Sequence, residues 1–238
     1  MFVLRAASSS IQDVQLDGYT LTVHQGRLPE PIAVSKLLAR AFAASAGEDG
    51  DEGGASPLAG AALVPFQLKL LAALQWRGST LGRSFIAVAA TEAGSQELAG
   101  VANVSAGMAL ADADTHQLEL GPGQAAATIS NMAVAERHRR RGLGRRLLAA
   151  CEHAAQHLLA PPATLCALTV YSSNEAAIAL YESSGYQIES SWVDPRWAES
   201  AERGRVAFGR RQLMVKRTLG VEEAAAAAEE AAGAARLL

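Results

Sequence analysis

The sequence predicts a mixed α+β fold (α and β elements interleaved) with about seven strands and about four helices in one domain. Three observations carry this. Strand-like runs and helical periodicities alternate through the second half, the first half opens strand then helix, and half of the 238 residues are hydrophobic, enough for one sizeable core.

The elements follow in order. Tyr19 to His24 alternates and is rich in β-formers, and Ile32 to Phe42 repeats apolar residues at helical spacing. Ser45 to Pro57 is acidic and glycine-rich with no large apolar side chain, so it reads as a mobile loop. Leu63 to Trp76 restores helical spacing through Phe66, Leu70, Leu71 and Leu74. Ser84 to Ala90 and Leu98 to Ser105 are β-like runs around a Gly-Ser turn, and Ala125 to Val134 is a third after a long connection from Gly107 to Gly123. From Gly142, the residues Leu143, Leu147, Leu148, Cys151, Ala155 and Leu158 form one helical stripe, which Pro161-Pro162 stops. Leu165 to Tyr171 is a buried-type strand, Asn174 to Ser184 a helix closed by Gly185, and Tyr186 to Ser191 and Gln212 to Thr218 are the last β-runs. These boundaries give an arm at 1–17, a core domain at 18–219 and an Ala/Glu-rich tail at 220–238 that is helix-forming but short of large side chains.

Composition excludes several function classes. A net charge of -3 supplies no sequence-wide positive field, so neither nucleic acid nor an anionic membrane is an expected partner. No apolar run approaches the roughly 20 residues of a membrane span. Cys151 and Cys166 lie in apolar periodic stretches without metal-ligand or CxxC spacing, which suits buried thiols in a reducing compartment and gives no metal site. The first twelve residues hold an arginine and three serines with no acid before Asp13, the composition of an organelle transit segment or of a plain disordered terminus.

The chemistry concentrates in Ile129-Ser-Asn-Met-Ala-Val-Ala-Glu-Arg-His-Arg-Arg-Arg-Gly-Leu-Gly144, a β-run, a basic turn and a helix start. A helix N-terminus exposes unpaired N–H groups and the positive end of the macrodipole, and Gly142 and Gly144 let a ligand approach the backbone. Arg139, Arg140, Arg141, Arg145 and Arg146 surround this cradle, so a diphosphate would meet amides and guanidiniums together. Neither the Rossmann nor the P-loop glycine spacing is present, and the aromatics that would stack nucleic-acid bases are missing. Glycines and solvated arginines serving only a tight turn would give the same letters.

Arg139-Arg-Arg-Gly142-Leu-Gly144 resembles the [RQ]-x-x-G-x-[GA] motif of the GNAT acetyltransferase superfamily. Downstream, Val170-Tyr-Ser-Ser-Asn174 through Leu180-Tyr181-Glu-Ser-Ser-Gly185-Tyr186 is similar to that family's strand, Asn-capped helix and LYxxxGY block. The resemblance covers Ser84 to Thr218 by motif and Tyr19 to Trp76 by element order. It implies a mostly antiparallel, splayed central sheet and acetyl-CoA as cosubstrate. The segments ISNMAV, the LYE block and LMVKR look most like plastid acetyltransferases of plants and algae, which implies a chloroplast location, with the cytoplasm as alternative, and protein or peptide amines as acceptors. A monomer or weak dimer is expected.

The same resemblance assigns roles. The backbone of Met132, Ala133 and Val134 should pair with the peptide-like pantetheine arm. The residues Arg139 to Arg145, Leu143 included, should hold the diphosphate, and Asn174 should cap the next helix near the cofactor, with Ser172 and Glu175 at capping-box spacing. Tyr181 is the expected general acid for the departing thiolate, while Tyr186 reads as core. The family's usual base positions hold Thr128 and Thr169, which cannot accept a proton, and Glu119, His116 and His138 are polar-loop candidates nearby. The acceptor is expected between the Ala43–Leu63 connection and the Ser191–Val206 loop, which carries Trp192, Asp194 and Trp197. A small-amine acetyltransferase and a non-catalytic acyl-CoA sensor remain the competing readings.

Overall fold

A computed structural model describes residues 12–16, 18–47, 63–95, 97–107, 118–193 and 210–217. Its strands are β1 (Gln12–Leu16), β2 (Tyr19–Gln25), β3 (Phe85–Glu92), β4 (Leu98–Ala106), β5 (Ala126–Val134), β6 (Leu165–Tyr171), β7 (Gln187–Val193) and β8 (Arg210–Arg217). The longer helices are α1 (Pro31–Gly47), α2 (Leu63–Leu81), α3 (Leu143–His157) and α4 (Glu175–Glu182). The strands form one sheet in the order β1-β2-β3-β4-β5-β6-β8-β7.

Backbone contacts divide the chain into two units, one of residues 1–104 with 129–152 and one of residues 105–128 with 153–238. In the first, β2 shows why alternation signals a strand: Tyr19, Leu21 and Val23 are buried while the residues between them are partly exposed. The first six residues of β3 are all buried, as a strand covered on both faces requires, which is why Phe85 to Ala90 is an unbroken apolar run. Leu28, Val34, Leu38, Leu74, Phe85, Ala87, Val101 and Ala133 form the core there. Gly100 lets α3 approach β4: a Cβ at that position would lie 2.8 Å from Leu147 Cδ1 and 3.1 Å from the Ala133 carbonyl.

In the second unit, Ala126, Leu165, Ala167, Trp192, Leu213 and Val215 make the core. Strand β8 pairs antiparallel with both β6 and β7. Strands β5 and β6 run parallel and pair over Ala126–Thr128 against Leu165–Ala167.

Several boundaries differ from the sequence reading. Residues 12–16, assigned to the arm, form β1, paired antiparallel with β2 and ending at Leu16 opposite Tyr19. The sequence between those partners is Asp17-Gly18, a strong hairpin signal, and Gly18 has φ 86. Helix α1 runs to Gly47, into the stretch read as a loop, and α2 continues to Leu81. The rest of that acidic loop, most of the Gly107–Gly123 connection and the 220–238 tail lie outside the described residues.

Candidate active site

The basic loop is held from both sides. On entry, His138 and Arg139 donate their N–H groups to the carbonyls of Ala135 and Glu136, and the Arg139 Nε donates to the Val134 carbonyl at 3.2 Å. At the helix start, Arg146 N–H donates to the Gly142 carbonyl at 3.2 Å, so Gly142 stands at the N-cap of α3. A helix beginning at Leu143 leaves the N–H groups of Leu143 and Gly144, in its first turn, without intrahelical acceptors. Arg140 and Gly142 both adopt left-handed backbone, φ 61 and 76. Alternation of this kind turns successive amides into an anion-binding concavity. Around Gly142 the space where a Cβ would stand is open, so a ligand can reach the backbone there.

The side chains divide by burial. Leu143 is buried and anchors the loop to the core, whereas Arg139, Arg140, Arg141 and Arg145 are exposed. Arg141 and Arg146 line an open cavity of about 170 Å³ with Gly18, Tyr19 and Glu92. A second open cavity of about 500 Å³ is lined by Arg40, Glu97, Ala135, Glu136 and Arg137, carrying both signs of charge.

A buried chain of polar contacts supports the entry to the loop. His138 is 2 % exposed, its Nδ1 lies 3.1 Å from the Tyr19 hydroxyl, and its Nε2 accepts from Arg137 Nε at 3.0 Å. Because Arg137 Nε can only donate, Nε2 is the acceptor in that contact, which leaves Nδ1 to meet the Tyr19 hydroxyl. Arg137 also pairs with Glu97. That hydrogen bond holds the Glu97 carboxyl below its usual range and raises the Arg137 guanidinium. The sequence made His138 a candidate base; the structure engages both its nitrogens in a structural relay. It missed Tyr19 in this relay.

The other residues are placed as follows. Met132, Ala133 and Val134 occupy the end of β5 leading into the loop, and Ala133 is buried in the core. Thr128 is buried and donates its hydroxyl to the Gly107 carbonyl at 2.7 Å; Thr169 lies half-buried on β6. Asn174 caps α4, its Oδ1 accepting from Ala177 N–H at 3.1 Å. The cap is therefore Asn174, and Ser172 with Glu175 forms no capping box because the helix begins at Glu175. Tyr181 is 8 % exposed on α4, its ring 6.0 Å from that of Tyr186, which is core. Trp192, expected in the acceptor loop, is instead buried in the second unit's core. Glu119 is exposed, and His116, Asp194 and Trp197 lie outside the described residues.

The Acetyltransferase (GNAT) family model matches residues 63–186, more than half of the chain and inclusive of both motifs. No curated protein matches the chain. Among solved structures, the ribosomal-protein-S5-alanine acetyltransferase from Vibrio fischeri is similar in fold, with TM-score 0.54 and 11% identity over 87% of this chain and 97% of that one. So is yncA from Salmonella typhimurium, solved with acetyl-CoA, at TM-score 0.51 and 15% identity over 85% and 95%. A chimera of the Vibrio cholerae spermidine N-acetyltransferase SpeG with hSSAT gives TM-score 0.50 and 13% identity over 85% and 96%. With its fold and basic loop, this chain belongs to the GNAT family of acetyltransferases and is an acetyl-transferring enzyme whose cosubstrate is acetyl-CoA.

Proposed function

We propose that the enzyme acetylates protein amines, the N-terminal α-amine above all and lysine ε-amines secondarily, by direct attack within a ternary complex. One observation carries the preference for α-amines. Thr128, at a position where the family usually has a base, spends its hydroxyl proton on the Gly107 carbonyl, and His138 is bound at both nitrogens. Neither of these two described residues is available as a base, which favours an acceptor that deprotonates readily, and an α-amine with pKa about 7.7 to 8.0 does so far more easily than a lysine near 10.4.

In this reading the amides of Leu143 and Gly144 and the exposed guanidiniums of Arg140 and Arg141 bind the diphosphate of acetyl-CoA. The backbone of Met132 to Val134 aligns the pantetheine arm as an added strand would. The amine nitrogen attacks the thioester carbonyl carbon, the C–S bond breaks, the Tyr181 hydroxyl donates a proton to the departing sulfur, and the proton that the acylated nitrogen then loses to solvent is matched by one that restores the phenol. A phenol with pKa about 10 keeps that proton at neutral pH. The acid-poor N-terminus supports a plastid as the site of action.

The test offers acetyl-CoA with N-terminal peptides, lysine peptides and polyamines and reads acetylated products by mass spectrometry. Faster modification of α-amines supports the reading. Exclusive modification of polyamines would replace it with a small-amine enzyme, and binding without turnover would make the chain a sensor.

A further inference from the structure

One residue of β4 stands opposite two residues of β5. The Gly107 N–H bonds to the Ala126 carbonyl and the Ala135 N–H to the Ala99 carbonyl, both at 2.8 Å, so eight residue steps along β4 face nine along β5. The extra residue falls midway, where Asn103 meets Ser130 and Asn131, and Asn131 has φ 52, a left-handed backbone typical of such a bulge.

Asn103 is completely buried, and among the described residues neither its amide nitrogen nor its amide oxygen has a hydrogen-bond partner. Ser130 Oγ, across the bulge, also has none. A valine would sit in this apolar strand, LAGVANVSA, without the cost of an unpaired amide. Unpaired donors and acceptors gathered at one buried point are the lining of a water site.

The bulge also lies where the chemistry should fall, and here the inference rests on the function proposed above. With the diphosphate at residues 139–144 and the arm passing Val134 and then Met132, the next positions reached are Asn131 and Ser130. The arm can pair only with the edge of β5 that β4 leaves open, two strand spacings or roughly 9–10 Å from β4. An asparagine side chain cannot span that distance, but a water held by it shortens the gap.

We propose that Asn103 and Ser130 hold a water at this bulge and that the water takes the proton of the acceptor amine. The ammonium N–H bond breaks, its electron pair remains on nitrogen to attack the thioester carbon, and the proton passes to the water oxygen and on to bulk solvent. Asn103 is a positioning residue: its Oδ1 accepts from the water and its Nδ2 donates to it, which fixes the water's orientation. Its strand neighbours Ala102 and Val104 and the facing Ser130 and Asn131 carry no titratable group.

Two readouts test this. A crystal structure that resolves ordered solvent should show a water within hydrogen-bond distance of the Asn103 amide and Ser130 Oγ; a dry niche overturns the proposal whatever the substrate proves to be. In kinetics, Asn103→Leu and Ser130→Ala should lower kcat/KM for the amine near neutral pH, by about a hundredfold for the former. The loss should shrink above the amine's own pKa, where no proton need be removed, and KM for acetyl-CoA should stay unchanged. A loss equal at all pH values marks a structural role and overturns the proposal, as does no loss. Should Asn103→Leu fail to fold, Ser130→Ala decides. A wild-type enzyme that acetylates no amine defeats the proposed function instead, and the solvent density still answers for the niche.

Discussion

The Tyr19 hydroxyl meets His138 Nδ1 at 3.1 Å across 119 residues of chain, tying the first long strand to the residue just before the basic loop. Replacing His138 with Phe leaves a buried hydroxyl and the Arg137 Nε without their partner, a loss of about 1–3 kcal/mol of stability. Chemical denaturation should show that loss. Steady-state kinetics should show a raised KM for acetyl-CoA with kcat little changed, because the loop and not the reacting atoms is disturbed. An unaltered KM would mean that the relay does not position the loop.

Gly100 sets how closely α3 lies on β4. An added Cβ would meet Leu147 Cδ1 at 2.8 Å, which can swing aside, and the Ala133 carbonyl at 3.1 Å, which cannot without moving β5. Gly100→Ala should destabilise by about 1–3 kcal/mol, and Gly100→Val by more. Thermal melts of the two variants check the order.

Tyr181→Phe removes only the phenolic oxygen from a side chain that is otherwise packed against Tyr186. Turnover should fall by about a hundredfold while acetyl-CoA affinity remains near wild type. Equal turnover would leave Tyr181 a packing residue alone.

His153 and His157 stack on the last turns of α3, ring centroids 4.3 Å apart. Burial, and then the neighbouring His157 charge, holds the His153 imidazole below its ordinary pKa. A lowered folded pKa means that the unfolded chain binds the proton first. The contribution of His153 is therefore complete above its unfolded pKa of about 6.5 and is lost as pH falls through the lowered folded value. His153→Gln should flatten the decline in melting temperature below that pH; an unchanged decline would assign it to other groups.

Much of the fold was legible because local pattern and tertiary burial agree. The stripe Leu143, Leu147, Leu148 and Cys151 is the buried face of α3, and the apolar runs at Phe85 and Leu165 are strands covered on both faces. The N-terminal strand was hidden because Gln12–Leu16 is short and polar, so the composition of the arm outweighed the hairpin signal of Asp17-Gly18. Trp192 could not be told from a loop aromatic because its burial comes from strands β6 and β8, distant in sequence. His138 reads as a solvated loop histidine for the same reason: nothing local announces Tyr19. Asn103 did leave a trace, a lone amide within an apolar strand, although the bulge that gives it meaning is visible only in the pairing of β4 with β5.

The central claim is that the Arg139–Gly144 loop grips acetyl-CoA through its backbone, with Gly142 at φ 76 and open space above it. Calorimetric titration of acetyl-CoA into the wild type and into Gly142→Val tests this most directly, since a β-branched residue strains that conformation and fills the ligand's approach. The account predicts saturable binding by the wild type and an affinity at least about tenfold weaker in the variant, a difference of roughly 1.4 kcal/mol. Equal affinity in a folded Gly142→Val protein would contradict it.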